Sequence, residues 1–346
     1  KEKDNGVEVL LKDNPSLQAD MVVLAIGVTP DTALAKEAGL ELGIKESIVV
    51  NDRMETSVPD IYAAGDAVQV KHYVTGNDAL ISLAGPANKQ GRIIADNICG
   101  GDSRYLGSQG SSVIKVFDMT AATTGINETN AKKSGLEVDT VILSPMSHAG
   151  YYPGGKVMTM KVVFEKETYR LLGAQIIGYE GVDKRIDVLA TAIHAGLNAT
   201  QLKDLDLAYA PPYSSAKDPV NMAGFMIDNI AKGTLKQWHL EDMDKISKDK
   251  DVVLLDVRTV GEFSMGHIDG FKNIPVDELR ERISEIEKGK PVYLICQSGL
   301  RSYIASRILE GNGYETYNFS GGFRFYDAVV NDRALIERAY ACGMDY

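Results

Sequence analysis

Cysteine and long apolar segments are scarce in this chain, and each shortage excludes a class of protein. Three cysteines among 346 residues are too few for a disulfide framework, and their wide spacing does not suit a metal site. A reducing cytoplasm is therefore the expected setting. No apolar stretch approaches the length needed to span a bilayer. Residues 1–4 are charged and lack the apolar run of a signal peptide.

Basic charge and glycine-rich nucleotide loops are missing as well. The net charge of −11 argues against nucleic acid and an anionic membrane as partners. No Gly-x-Gly-x-x-Gly occurs anywhere in the sequence, so it holds no typical phosphate-binding loop of a dinucleotide domain. The composition is ordinary for a globular protein, and the length predicts two or three domains.

One cysteine lies where a predicted strand meets a predicted helix. The apolar run 292–295 predicts a strand that ends at Cys296, and a helix is expected to begin at Arg301. Gly299 lets the loop between them bend, so that backbone N–H groups and the helix dipole favour an anionic thiolate or persulfide. Arg301 adds fixed positive charge where an anionic sulfur donor would approach. The alternative is a buried structural cysteine, which this combination of loop, glycine and arginine disfavours.

Four further segments near this cysteine resemble the rhodanese (sulfurtransferase) family. They are Asp256-Val257-Arg258, Glu262-Phe263 with Gly266-His267-Ile268, Asn273-Ile274-Pro275, and Ser320-Gly321-Gly322-Phe323. The resemblance implies an α/β domain over residues 239–346 in which Cys296 carries a sulfane sulfur as a persulfide. It also implies one structural polar network under the loop, made by Asp256, Arg258, Glu262 and His267. The loop sequence 297–300 leaves the sulfur donor open.

A second group of motifs occupies the first hundred residues. Residues 20–27 predict a buried strand, and residues 61–64 predict a short one ending at Gly65 and Asp66. A carboxylate at such a strand end can accept hydrogen bonds from sugar-alcohol hydroxyls. These segments resemble the pyridine nucleotide–disulfide oxidoreductases. The resemblance implies that Asp66 holds the ribityl chain of FAD, and that the preceding Gly65 leaves the Asp66 carboxylate accessible. It further implies a helix opening at Ala84, with Pro86 in its first turn, aimed at the flavin.

The parts of that family which the sequence lacks are equally informative. Residues 1–106 resemble only the C-terminal remnant of the NAD(P)H- and FAD-binding domains, without either glycine loop or the family's redox cysteine. We therefore expect this chain to be the C-terminal part of a longer protein, and to bind no FAD stoichiometrically by itself. FAD, NAD(P)H and coenzyme A are expected for the full-length protein. Cys99 is expected to be inert, and Cys342 is either a resolving thiol or, more simply, a bystander.

The middle of the chain predicts an α+β domain over residues 107–224, followed by a linker over 225–238. Alternating strands at 112–117 and 159–164 accompany helices at 128–135 and 184–195. This region resembles the dimerisation domain of the same flavoproteins, which implies a homodimer. The segment 182–187 strengthens the resemblance, although Arg185 and Asp187 also suit surface ion pairs.

Two aromatic loops, 148–155 and 207–214, resemble those of the coenzyme A-disulfide reductase branch. There, tyrosines of one subunit reach the flavin and thiol site of the other and replace a histidine acid–base. Tyr151 and Tyr209 are the candidates, with Tyr152 and Tyr213 as alternatives. A phenol can donate a proton to a departing thiolate of similar basicity. The competing interpretation is that these rings are interface anchors.

The expected fold is therefore multidomain, with a partial FAD/NAD(P)-binding domain, an α+β dimerisation domain and a rhodanese α/β domain. The expected function is flavin-dependent reduction of coenzyme A-type disulfides, persulfides or polysulfides, coupled to sulfur transfer through a Cys296 persulfide. The alternative is a non-enzymatic carrier or scaffold dimer in which Cys296 only binds sulfane sulfur for a partner. A phosphatase is disfavoured, because it needs a longer loop and a general acid that the sequence does not show.

Overall fold

The structure, a computed structural model, describes residues 1–3, 6–12 and 15–341. It separates the chain into two compact units. The first contains residues 1–70 and 78–105, and the second contains residues 71–77 and the chain from 106 onward. Cys342 lies outside the described residues. No helix in the described part of the chain is long and apolar enough to cross a membrane.

The first unit contains two small three-stranded sheets and one long helix. The first sheet is formed by β1 (Glu2–Lys3), β2 (Gly6–Val9) and β3 (Leu17–Ala19), and the second by β4 (Ile48–Val49), β5 (Val68–Lys71) and β6 (Asp78–Ala79). Its helices are α1 (Ala33–Glu37) and α2 (Ala84–Ile98). A small core of Met54, Val68 and Val70 packs against Ile93 and Ile94 of α2. The predicted helix at Ala84 is thus present.

Two strand predictions in this unit are wrong. Residues 20–27 form no strand, and Val23, Leu24 and Ile26 are 74%, 81% and 91% exposed. An apolar run becomes a buried strand only between neighbouring strands, and no described strand pairs with this one. Residues 61–64 form only an isolated bridge at Tyr62, before the chain enters a 3-10 turn over Gly65–Ala67. The regular strand lies further along, at β5.

The second unit begins with a five-stranded antiparallel sheet. Its strands are β7 (Ser112–Val116), β8 (Met119–Gly125), β9 (Val138–Leu143), β10 (Met158–Glu165) and β11 (Leu171–Gly178), in the order β7-β8-β11-β10-β9. The helices are α3 (Glu128–Lys133), α4 (Val182–His194) and α5 (Pro219–Ala231). Buried side chains of the sheet, such as Val162, meet Ile186 of α4 and Ile227 of α5 in one core. The predicted α+β layering is confirmed, and α5 extends into the first half of the predicted linker.

A parallel five-stranded sheet follows in the same unit. It consists of β12 (Gln237–Trp238), β13 (Val253–Asp256), β14 (Lys272–Asn273), β15 (Val292–Ile295) and β16 (Thr316–Phe319), in the order β12-β16-β15-β13-β14. The helices are α6 (Met243–Ile246), α7 (Val260–Met265), α8 (Leu300–Glu310) and α9 (Gly322–Ala341). β15 is apolar because helices cover both faces of a parallel sheet. Asp256 and Ile295 are register partners, so the carboxyl ends of β13 and β15 lie side by side.

Polar contacts join the two sheets of this unit. The backbone N–H of Ile142 donates to Ser320 Oγ at 3.0 Å, and the Gln237 amide donates to the Thr140 carbonyl at 2.7 Å. His239 Nε2 lies 3.2 Å from Asp139 Oδ1. Burial acts to raise the pKa of Asp139, but hydrogen bonds, chiefly from His239, outweigh it and lower that pKa.

Candidate functional site

Cys296 occupies the expected junction of strand, loop and helix. It follows β15 and is 1% exposed. Its Sγ accepts hydrogen bonds from the Gly299 N–H at 3.1 Å and from Ser302 Oγ at 3.2 Å. Gly299 has φ of +101°, in the left-handed region that glycine adopts without strain. One donor from the loop and one from the first turn of α8, which begins directly after the loop at Leu300, therefore point toward one sulfur.

The glycine pair Gly321-Gly322, at the start of α9, packs against the cysteine loop. A Cβ placed on Gly322 would lie 2.7 Å from the carbonyl group of Gln297 and from Ser298 Cα. The Phe323 N–H donates to the Cys296 carbonyl at 2.8 Å, and the Arg324 N–H donates to the Gln297 carbonyl at 3.2 Å. Only a residue without a side chain permits this close approach, so Gly322 fixes the shape of the cysteine loop.

Arg301, in the helix that follows the cysteine loop, is paired with a carboxylate. Its guanidinium makes a two-pronged ion pair with Glu262, with N–O distances of 2.7 Å and 2.6 Å. The hydrogen bond from Arg301, assisted by Thr259, lowers the pKa of Glu262 to about 2. The same pair raises the pKa of Arg301. The positive charge predicted to receive an anionic donor is therefore shared with a carboxylate, and that role of Arg301 stays a prediction.

The expected four-residue polar network is in fact two separate pairs. Arg258 is 1% exposed, lies 2.7 Å from Asp256 Oδ2 and donates to the Gly266 carbonyl at 2.8 Å. Glu262 instead pairs with Arg301. The His267 ring stacks on Phe263 and its Nδ1 lies 3.1 Å from the Phe263 carbonyl. The separation follows from topology, because α7 carries Glu262 toward α8 while Arg258 folds back onto β13.

Ser302 is a residue of this site that the sequence analysis did not single out. It is fully buried, and its hydroxyl lies within hydrogen-bonding distance of both Cys296 Sγ and the Gly299 carbonyl. The sequence feature that could have identified Ser302 is a hydroxyl residue in the first turn of the helix that follows the cysteine loop. Such a position brings the hydroxyl back toward whatever the helix N-terminus faces.

The structure brings the two favoured tyrosines together. The hydroxyl oxygens of Tyr151 and Tyr209 lie 2.7 Å apart, and the rings are 76% and 45% exposed. The hydrogen bond with Tyr151 raises the pKa of Tyr209. Tyr152 instead packs edge-on against His148, with ring centres 5.6 Å apart. Tyr213 is exposed on the second loop. The geometry therefore forms a phenol pair from the first-choice candidates.

One buried arginine, Arg185, donates hydrogen bonds to residues at both tyrosine loops. Arg185 Nη2 donates to the Ser147 carbonyl at 2.9 Å, to Asp218 Oδ2 at 3.0 Å and to Ser214 Oγ at 3.1 Å. Arg185 and Asp218 are 1% and 3% exposed. The suggestion that Arg185 forms a surface ion pair is therefore wrong. Its partners belong to segments distant in sequence, and they bury its charge where the loops of Tyr151 and Tyr209 meet.

The four residues expected to contact a flavin all lie in the first unit. Gly65 has φ of +84°, and its N–H donates to Gln90 Oε1 at 2.8 Å. The next residue, Asp66, is exposed and makes no ion pair or side-chain hydrogen bond within the described residues. α2 begins at Ala84 with Pro86 in its first turn. A carboxylate with free acceptor oxygens beside a helix N-terminus fits a ligand that has hydroxyls and an anionic ring.

The sequence matches three known families in succession. Residues 1–91 match the pyridine nucleotide-disulphide oxidoreductases, residues 111–219 match their dimerisation domain, and residues 239–328 match the rhodanese-like domain. A relative named "NAD(P)H sulfur oxidoreductase (CoA-dependent)" from Pyrococcus furiosus is 39% identical over 214 residues, which is 62% of this chain and 48% of that protein. The chain thus spans about half the length of the curated relatives it matches.

Two solved structures are similar over nearly all of the chain. Reduced CoADR-RHD from Bacillus anthracis is 48% identical with a TM-score of 0.92, covering 96% of this chain and 59% of that one. An NAD-dependent persulfide reductase from A. fulgidus is 40% identical with a TM-score of 0.85, covering 94% of this chain and 59% of that one. The chain therefore belongs to the pyridine nucleotide–disulphide oxidoreductases and carries a rhodanese-like domain after its dimerisation domain.

Proposed function

We propose that this chain serves the flavin-dependent reduction of coenzyme A-type disulfides, persulfides or polysulfides, coupled to sulfur transfer through a persulfide on Cys296. The observation that carries the proposal is the buried Cys296 sulfur that accepts hydrogen bonds from the Gly299 N–H and the Ser302 hydroxyl. The printed names of the relatives from Pyrococcus furiosus and A. fulgidus, a sulfur oxidoreductase and a persulfide reductase, support the same chemistry.

The sulfur-transfer step needs only thiol–disulfide exchange. The Cys296 thiolate attacks the sulfane sulfur of a donor, the new S–S bond forms, and the donor's remaining sulfur group leaves with the bonding electron pair. The hydrogen-bond donors directed at Cys296 Sγ stabilise the negative charge of the thiolate before the attack, and again after the persulfide has transferred its outer sulfur. Since sulfite or a thiolate leaves readily, no general acid is required, which agrees with the position of His267 against Phe263.

The reductase step needs a proton for a departing thiolate. Tyr209, whose pKa the hydrogen bond with Tyr151 raises, stays protonated at neutral pH and can donate this proton. Tyr151 holds the donating hydroxyl in place. FAD, reduced by NAD(P)H, supplies the electrons when bound, and Asp66, Gly65, Ala84 and Pro86 are the residues expected to hold it.

The same proposal includes a homodimer that works in the cytoplasm. The dimerisation domain supports an association through residues of about 110–224. The edge strand β7 and the turn after it expose apolar side chains, with Ile114, Val116 and Phe117 60%, 51% and 94% exposed. A second subunit that covers such side chains removes apolar area from water.

Thiosulfate:cyanide turnover tests the sulfurtransferase half. We expect repeated turnovers that Cys296→Ser abolishes, whereas the control Cys99→Ser, at an exposed cysteine, retains them. A single turnover per chain would indicate the non-enzymatic carrier instead. Full activity in Cys296→Ser would contradict the proposal.

A further inference from the structure

A groove beside the cysteine loop has no assigned role. Its volume is about 390 Å³, and its lining includes Glu262, Met265, Gln297, Phe323, Arg324 and Asp327. This volume suits a small organic molecule, and it is more than a compact inorganic anion needs. Gln297 is the residue next to Cys296, so a molecule in the groove lies against the loop that presents the sulfur.

The charges in the groove select what can enter it. Arg301 is neutralised by Glu262, and Arg258 is buried against Asp256. In contrast, neither Arg324 nor Asp327 makes an ion pair within the described part of the chain. The groove therefore presents one unpaired positive and one unpaired negative charge, three residues apart on α9 and on neighbouring positions of its surface.

Two of the side chains that line this mainly polar groove, Met265 and Phe323, are apolar. The Phe323 ring packs on the Arg258 guanidinium, with its centre 3.8 Å from Cζ. Met265 is 85% exposed beside it, and a thioether adapts to the shape of a flexible apolar stem. The backbone N–H of Arg324 is bonded to the Gln297 carbonyl, so any shift of the loop moves the base of this side chain with it.

We propose that this groove binds the thiol that accepts sulfane sulfur, and that Arg324 and Asp327 select a thiol with a zwitterionic, amino-acid-type end. The carboxylate of the acceptor pairs with Arg324 and its ammonium pairs with Asp327. A net neutral ligand suits one charge of each sign, whereas a polyphosphate would meet Asp327 and an acidic chain of net charge −11. The proposal rests on the sulfur transfer proposed above for Cys296.

The transfer itself is balanced without any further reactant. The acceptor thiolate attacks the outer sulfur of the Cys296 persulfide and forms an S–S bond. The bond between that sulfur and Cys296 Sγ breaks, and the electron pair returns to Cys296 as a thiolate. The acceptor leaves as a persulfide that carries the proton of the outer sulfur.

Three acceptors of related structure test the site. The chain is loaded with thiosulfate, the excess is removed, and the transfer rate is measured against the concentration of L-cysteine, cysteamine or 3-mercaptopropionate. Cysteamine lacks the carboxylate and 3-mercaptopropionate lacks the ammonium. We expect L-cysteine to half-saturate at about tenfold lower concentration than either, the factor expected for one charge-assisted hydrogen bond of moderate strength.

Variants assign each charge to its residue. Arg324→Gln should raise the half-saturating concentration about tenfold for L-cysteine and 3-mercaptopropionate, with a much smaller effect on cysteamine. Asp327→Asn should instead raise the half-saturating concentration for L-cysteine and cysteamine, with a much smaller effect on 3-mercaptopropionate. Arg324→Lys should restore most of the affinity. Comparing variant with parent for each acceptor cancels the differences in thiol nucleophilicity, and Arg280→Gln, which removes an exposed charge outside the groove, is the matched control.

The outcomes distinguish a failure of the acceptor site from a failure of the proposed sulfur transfer through Cys296. Equal effects of Arg324→Gln on all three acceptors, or no preference of the parent chain for L-cysteine, would overturn the acceptor site. Failure of thiosulfate to load Cys296 would overturn the proposed sulfur transfer instead. If Arg324→Gln does not fold, the parent's acceptor series and Arg324→Lys decide the question.

Discussion

Replacing Arg185 should destabilise the dimerisation domain more than any surface substitution in it. The guanidinium and its partner Asp218 are 1% and 3% exposed, and they lie 3.0 Å apart. Arg185→Met leaves Asp218 buried without its counter-ion, a change that typically costs about 3–5 kcal/mol of unfolding free energy. Asp218 keeps hydrogen bonds from Ser214 Oγ and the Val220 N–H. We therefore expect the lower end, about 3 kcal/mol.

A double-mutant cycle isolates the interaction. Asp218→Asn retains an oxygen that caps α5 at the Val220 N–H but removes the charge. If the two residues act as a pair, Arg185→Met with Asp218→Asn should be more stable than the sum of the single changes by about 2 kcal/mol. The assay is urea denaturation followed by circular dichroism, with Arg170→Met as the control for a half-exposed arginine, expected to cost about 1 kcal/mol or less. Additive single effects would refute the reasoning.

Three other predictions concern the two sites. In the full-length protein, Tyr209→Phe should lower reductase turnover while thiosulfate:cyanide turnover and the dimer are retained; equal loss of both activities would make Tyr209 a packing residue. The pairing with Arg301 lowers the pKa of Glu262 from 4.5 to about 2, so the ionised carboxylate stabilises the fold above pH 4.5 and this contribution is lost as the pH falls toward 2. The difference in Tm between the parent and Glu262→Gln should therefore shrink over that pH interval, and a constant difference would contradict the assignment. Gly322→Ala should cost about 2 kcal/mol or more and reduce sulfurtransferase kcat, because its Cβ meets the cysteine loop. Gly313→Ala, with φ of +84° but no atom within 4 Å of its Cβ, should cost only the backbone strain of about 1 kcal/mol, and equal losses in a denaturation assay would argue against the steric explanation.

The sequence predicted well those features that depend on neighbours along the chain. The junction at Cys296 follows from an apolar strand, a glycine and a helix start within ten residues, and the structure has all three. The resemblance also named Tyr151 and Tyr209 as candidates, but it did not predict the 2.7 Å contact between their hydroxyl oxygens, which joins residues 58 apart in sequence. At Cys296 a short segment carries the signal, because the local backbone decides where the side chain points.

Features that depend on distant partners were missed or wrong. Arg185 contacts Ser147 and Asp218, which lie 38 and 33 residues away in sequence, so its burial could not be read from its own helix. The pairing of Arg301 with Glu262 spans 39 residues and splits a network that adjacent motifs had suggested. The apolar run 20–27 has the composition of a buried strand, but burial requires strands on both sides, which no local pattern supplies.

The proposed function requires that Cys296 carries the transferred sulfur. Mass spectrometry of the chain after incubation with thiosulfate tests it directly, with the peptide that contains Cys296 examined before and after addition of cyanide. We expect one added sulfur atom on Cys296 that cyanide removes, and none on Cys99. An unmodified Cys296 peptide, or an added sulfur that cyanide leaves in place, would contradict it.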